Sequence, residues 1–115
     1  MSDCIFCKIA QKEIPSDIVY EDEEIICFKD LEPQAPVHVL IIPKKHYESL
    51  DDVTESAEDK EALGHLLSKV REIAASLGLE NGYRLVNNCG EDGMQTVKHL
   101  HFHLLGKRTM LWPPG

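Results

Sequence analysis

Basic residues are in short supply here. Twelve Lys and Arg stand against twenty Asp and Glu, so the 115-residue chain carries a formal net charge of −8. That deficit argues against a nucleic-acid groove or an anionic membrane surface as partner. A small anionic ligand stays open, because it answers to the local field of a pocket. Long apolar runs are also missing. A stretch such as Val39 to Ile42 is far too short to span a bilayer, which takes about 20 residues. Met1-Ser2-Asp3-Cys4 has neither the basic start nor the apolar stretch of a secretory leader. Repeats, low-complexity tracts and linkers are absent, so a single domain over 1–115 is expected. A cytoplasmic location follows by default, and its reducing conditions keep the four cysteines as thiols or ligands.

Against these absences one stretch stands out, His99-Leu100-His101-Phe102-His103-Leu104-Leu105. Histidine alternates with an apolar residue at period two, the pattern of a half-buried strand. Three of the six histidines occupy five consecutive positions, pointing to one face, with Leu100, Phe102 and Leu104 on the other. Side chains two apart on a strand are separated by roughly 6.6 Å, and the outer pair by about 13 Å. A zinc ion holds imidazole nitrogens at about 2.0–2.1 Å, so all three cannot converge on one ion. A division of labour among them is expected.

Cys4-Ile5-Phe6-Cys7 has the C-x-x-C spacing of a metal clamp or a redox pair. A redox pair wants a preceding strand, and only three residues precede Cys4, so half a zinc site is the preferred reading. Cys27 and Cys89 read as buried or semi-buried thiols. A short helix is expected over 5–13, ended by Ile14 before Pro15. Strands follow at Ile18 to Glu21 and Ile25 to Lys29, turning at Asp22-Glu23. A proline-punctuated loop over 30–36 leads to a strand at Val37 to Ile42, closed by Pro43. His38 lies in it, on the face of Leu40 and Ile42; by itself it reads as a satisfied core residue. Lys44 and Lys45 read as solvated charges and His46 as an exposed loop residue. Ser49 to Glu55 is a polar connection carrying caps. The long helix spans 57–77, with Leu63, Leu66, Leu67, Val70, Ile73, Ala74 and Leu77 on its apolar stripe and Gly78 as its stop. His65 falls outside the stripe and reads as solvated. Tyr83 to Asn88 is a further strand, and 89–93 a glycine-bearing loop. The fold class is therefore α+β: a mainly antiparallel sheet, one long helix and a short N-terminal helix.

Two chemistries fit these residues. In one, the triad strand builds a zinc site that activates water. In the other, one imidazole is itself the nucleophile, since its ordinary pKa of about 6.5 leaves it neutral near pH 7. The His-φ-His-φ-His-φ-φ run resembles the signature of the histidine-triad superfamily. The likeness extends along the chain. Cys4-Ile5-Phe6-Cys7-Lys8-Ile9 with Glu13-Ile14-Pro15 looks like that family's opening. Asp30 with the segment from Pro33 to His46 resembles its nucleotide-binding portion. The ending Trp112-Pro113-Pro114-Gly115 is similar to one branch, the histidine-triad nucleotide-binding proteins that act as purine nucleoside phosphoramidases.

The resemblance implies roles residue by residue. His101 would attack the α-phosphorus of a nucleoside 5′-phosphoramidate or related adenylate and form a phosphohistidine. His103 and His38 would orient that ring and bind phosphate oxygens. Thr96, with Gln95 beside it, would contact the phosphate or leaving group; serine is common at this position, so leaving-group preference stays open. Asp30 would receive the ribose hydroxyls and Asn88 would sit at the phosphate. Ile5, Phe6, Phe28 and Leu31 would form the apolar slot for the purine. A structural zinc would take Cys4, Cys7, His46 and His99, freeing His101 for chemistry, and no organic cofactor is implied. The resemblance also implies a homodimer, with the long helix and the strand at 83–88 at the interface and Trp112 near the partner's site. Dinucleoside polyphosphate hydrolysis and a purely nucleotide-binding role are the alternatives.

Overall fold

A computed structural model describes residues 3–115; Met1 and Ser2, and with them the start of the expected domain and of the segment read for a leader, lie outside the described residues. The chain forms helix α1 (Ile5–Ala10), strands β1 (Ile18–Glu21), β2 (Ile25–Lys29) and β3 (Val37–Pro43), helix α2 (Ala57–Ser76), and strands β4 (Tyr83–Val86) and β5 (Phe102–Gly106). A single 3-10 turn at Leu50–Asp52 precedes α2. The five strands form one antiparallel sheet in the order β1-β2-β3-β5-β4. The expected class, an antiparallel sheet with one long and one short helix, is the observed one.

Two apolar layers flank this sheet. On one face Ile25, Cys27, Val39, Ile41, Phe102 and Leu104 pack against Leu66, Val70 and Ile73 of α2. On the other, Ile26, Phe28, Leu40 and Ile42 pack against Phe6 and Ile9 of α1. Strands β2 and β3 are therefore covered on both sides, which is why they read as continuous apolar runs rather than as alternations. Burial pushes the Cys27 thiol up to about 12, so it stays an inert part of the packing.

Local chemistry sets the helix ends. Ser56 caps α2 by accepting the Asp59 amide at 3.1 Å. At the other end Gly78 adopts φ +76°, and the Leu79 amide returns to the Ala74 carbonyl at 3.0 Å. Helix α1 stops three residues short of expectation because Lys12 takes φ 63° and the Glu13 amide closes onto the Lys8 carbonyl at 2.8 Å. That left-handed cap ends the helix before Pro15 can. Leu67, assigned to the α2 stripe, is 42% exposed. His65 is not merely solvated: its Nε2 lies 2.8 Å from Asp22 Oδ2 at the β1–β2 turn. Lys44 likewise bonds Glu21 at 2.7 Å.

A buried polar clamp ties α2 to the segment leading into the triad. Tyr47 donates its hydroxyl to Asp59 Oδ1 at 2.7 Å, while Asp59 Oδ2 accepts the Thr54 amide and hydroxyl. The Tyr47 carbonyl accepts the Leu100 amide at 2.7 Å. Removing the hydroxyl in Tyr47→Phe takes the 2.7 Å donor from buried Asp59 Oδ1 and leaves it only the Lys45 ammonium at 3.6 Å. The expected cost is about 1–3 kcal/mol, to be read from urea unfolding with an unchanged m-value.

Candidate active site and metal cluster

The histidine stretch keeps its alternation but is only partly strand. Leu100, Phe102 and Leu104 enter the α2-side core, while the rings of His99 and His101 meet Phe6 of α1 on the other face. Regular pairing begins only at Phe102, later than expected, and β4 ends at Val86 rather than Asn88. The reason lies in who satisfies the backbone. The His101 carbonyl accepts from the Asn87 side-chain amide at 2.9 Å, and the Leu100 amide goes to Tyr47. Side-chain and loop partners replace the ladder there, freeing residues 99–101 to bend.

Ring tautomers follow from backbone partners. His101 Nδ1 lies 2.7 Å from the His99 carbonyl, which can only accept, so Nδ1 carries the proton and Nε2 keeps its lone pair. The Gln34 amide donates to His38 Nδ1 at 3.0 Å, so the His38 proton sits on Nε2. That Nε2–H points at His103 Nδ1, 2.9 Å away, with Asp30 Oδ2 at 3.4 Å. His103 then carries its own proton on Nε2. The result is a directed series from the Gln34 amide through His38 to His103, beside His101, whose Nε2 keeps its lone pair and whose ring centroid lies 5.1 Å from that of His103. The sheet builds this closeness: Leu40 faces His103 and Leu105 faces His38 in the β3–β5 register, which makes the two histidines diagonal neighbours on one face.

Burial keeps this pair uncharged. His103 is pushed down to about 4 by burial, with the neighbouring His101 and His38 adding to the effect and Asp30 opposing it. His38 is lowered by burial as well, against the pull of Asp30. The unfolded chain takes up these protons near pH 6.5 and the folded chain does not, so their contribution to stability is complete above 6.5 and is lost as pH falls toward 4. The melting temperature should fall across that window, and the fall should be shallower in His103→Asn.

A second cluster lies behind His101. Cys4 Sγ is 3.3 Å and Cys7 Sγ 3.5 Å from His99 Nδ1, Cys7 Sγ is 3.2 Å from His46 Nδ1, and the two Nδ1 atoms are 3.1 Å apart. Tetrahedral zinc with ordinary bond lengths separates two nitrogens by roughly 3.3 Å, and a sulfur from a nitrogen by roughly 3.6 Å. His99 Nε2–H donates to the Pro43 carbonyl at 2.8 Å, so its Nδ1 lone pair faces the cluster. The donor set therefore fits a metal ion. The Asp30, His38 and His103 group is also close enough together to hold a metal, but its chemistry does not fit one. With the Gln34 amide on Nδ1, His38 offers a proton at Nε2, not a lone pair.

The other expected residues are placed unevenly. Phe6 and Phe28 are buried and meet edge to face with centroids 5.5 Å apart, whereas Ile5 is exposed and Leu31 is 94% exposed. Asp30 closes its own turn, accepting the Glu32 amide at 2.8 Å. Gln95 staples the 89–97 loop: its side chain accepts the Gly90 amide and donates to the Glu48 and Val97 carbonyls. Thr96 is exposed and lines a cleft of about 480 Å³ with Cys4, Ile5 and His46, at the metal-cluster end of the site. Asn88 is half-buried, and it is Asn87 that reaches the triad backbone. Trp112 is 81% exposed. A larger cleft of about 640 Å³, lined by Arg84, Lys107 and Arg108 among others, contains none of these residues. Expectations missed the positioning parts of the site, namely Asn87, the Gln34 amide, and the Pro43 and His99 carbonyls. All but the Asn87 side chain are backbone groups and leave no mark in a residue pattern.

Comparison with known proteins places this geometry. A family model described as HIT domain matches residues 11–110. An uncharacterised HIT-like protein of Synechococcus elongatus is 56% identical over 113 residues, 98% of this chain and 97% of that one. A solved HIT family hydrolase from Legionella pneumophila is 52% identical with a TM-score of 0.94, covering 98% of this chain and 100% of that chain. A histidine triad nucleotide-binding protein from Candida albicans is 33% identical with a TM-score of 0.82, covering 98% and 85%.

Proposed function

The chain belongs to the HIT-domain family, and from that premise we propose that it is a nucleotide-binding hydrolase of purine nucleoside 5′-phosphoramidates. The observation that carries this reading is the 2.7 Å contact from His101 Nδ1 to the His99 carbonyl, which leaves Nε2 free for attack. Support for hydrolysis comes from the hydrolase relatives, and for a nucleotide from the name of the Candida protein.

In this mechanism His101 Nε2 attacks the α-phosphorus while the P–N bond breaks, the amine leaving with a proton drawn from solvent water, to which the later hydrolysis of the phosphohistidine returns one. The His99 carbonyl stabilises the positive charge that develops on the ring. His103 Nε2–H, set by His38, donates to a phosphoryl oxygen, and Asp30 receives the ribose hydroxyls. Water then attacks phosphorus from the far side, releasing the nucleoside monophosphate and restoring His101. Thr96, Gln95 and Asn88 would meet the leaving group and phosphate, and Ile5, Phe6, Phe28 and Leu31 the base.

Cys4, Cys7, His46 and His99 would hold zinc. Four protein ligands close its shell, so it would fasten the N-terminal helix and not activate water. A homodimer joined through β4 and α2 fits the open edge of β4 and the exposure of Tyr83 and Leu67. Trp112 would then find its packing partner across the dimer.

The test is a pair of rates on the zinc-loaded protein, with adenosine 5′-phosphoramidate and with a diadenosine polyphosphate. The phosphoramidate should be favoured by a factor of ten or more in kcat/KM, on the order of what leaving-group discrimination supplies. Preference for the dinucleotide would favour the sister activity.

A further inference from the structure

His99 belongs to both halves of the site. Its ring contributes Nδ1 to the four-donor cluster, and its carbonyl, within the same residue, holds the His101 proton at 2.7 Å. The ring is completely buried and pinned at its other nitrogen by the Pro43 carbonyl, so it has little room to adjust separately from its backbone. Phe6 makes a second link. It sits on α1 between Cys4 and Cys7, and its ring meets His101 at 5.1 Å and 86° and His99 at 6.0 Å and 70°. The cluster thus adjoins both the acceptor that fixes the His101 tautomer and the ring that walls its edge.

We propose that zinc occupancy of the Cys4–Cys7–His46–His99 cluster sets the orientation and tautomer of His101, so that metal binding regulates turnover directly and not only by keeping the chain folded. His99 and Phe6 are the positioning residues. Without a cation the Nδ1 lone pair of His99 is buried 3.1 Å from another imidazole nitrogen and beside two sulfurs. Thiol and ring protons that replace the cation prefer separate hydrogen-bond directions to four bonds converging on one ion, and that change moves His99, and with it the carbonyl. A loosened bond lets the His101 proton pass to Nε2, and the ring then has no lone pair to offer phosphorus. The phosphate- and ribose-holding groups are independent of this linkage, and of the base slot only the α1 residues share it. His38 and His103 are fixed by the β3–β5 register and the Gln34 amide, and Asp30 by its own turn. The defect should therefore appear in kcat with KM nearly unchanged.

This inference rests on the hydrolase reading for its kinetic arm but not for its spectroscopic one. Ring-nitrogen NMR spectra of the histidines are recorded on the zinc-loaded protein and after stepwise removal of zinc by a chelator. Circular dichroism monitors the fold at each step. Loaded protein should show His101 as a single Nδ1–H tautomer. Metal-free, folded protein should show mixed tautomers, with kcat on the phosphoramidate reduced about 10–100-fold and KM within about twofold. Restored zinc should reverse both. A metal-free protein that stays folded and either retains the single tautomer or keeps its kcat overturns the proposal. If removal unfolds the chain, His46→Ala decides. His46 is exposed, and its loss removes one donor from the cluster while Cys4, Cys7 and the buried His99 keep their side chains; an unaltered tautomer and kcat in that variant overturn the proposal equally. Absence of turnover in the loaded protein would defeat the hydrolase reading, while the tautomer response to zinc still decides the linkage.

Discussion

His101→Ala should remain folded, bind nucleotide and lose turnover by at least about a thousandfold, on the order of what deleting a nucleophile costs. The imidazole commits its Nδ1 proton to a carbonyl, which leaves the Nε2 lone pair for attack, and its ring lies 5.1 Å from that of His103. Alanine removes that attacking atom along with the ring's edge contact to Phe6. The fold should survive because the two apolar layers lie on β2, β3, β5, α1 and α2, and the His101 ring, though buried, belongs to neither. Nucleotide affinity should change little, since Asp30, His38 and His103 remain. Pre-steady-state assays with circular dichroism and equilibrium dialysis on the same preparation separate these expectations. A variant that still cleaves phosphoramidate at near wild-type rate removes His101 from the mechanism.

The second large effect is on stability. Zinc binds the folded cluster and not the unfolded chain to the same degree, so free zinc at a hundredfold its dissociation constant adds about 2.7 kcal/mol. For a chain of this length that corresponds to a rise on the order of 10 °C in melting temperature. Cys7→Ser should erase most of the gain, because Cys7 Sγ contacts both imidazoles of the cluster. Cys27→Ser, far from the cluster in the α2-side core, should lower the melting temperature without altering the response to zinc. Differential scanning calorimetry with and without chelator reads all three. A melting temperature indifferent to zinc in the wild type would argue against a metal at these residues.

Much of the fold was legible from one chain. The bounds of β1 and β2 follow from β-branched runs bracketed by Pro15 and the Asp22-Glu23 turn. The extent of α2 follows from its apolar stripe and from Gly78. The start of β5 was not legible, because it depends on the Asn87 side chain substituting for a ladder partner, and nothing in Asn87-Asn88 says which of the two turns inward. The length of α1 was overestimated for a related reason: a lysine took up the left-handed cap usually left to glycine. His65 read as solvated because its carboxylate partner is 43 residues away on another element.

The candidate site divides along the same line. Residue types and periodicity identified the histidines and one half of the metal cluster. The other half, His46 and His99, came from family resemblance alone, since partners 39 and 92 residues from Cys7 leave no local spacing to read. Tautomers were out of reach entirely, being set by the carbonyls of His99 and Pro43 and the amide of Gln34.

The most direct test of the central claim is to quench a single turnover of an adenosine phosphoramidate in denaturant and map the modified peptide by mass spectrometry. One adenylyl group on His101, absent from His101→Ala, is the predicted result. A nucleotide attached to any other residue, or hydrolysis that leaves no residue transiently modified, would contradict the account.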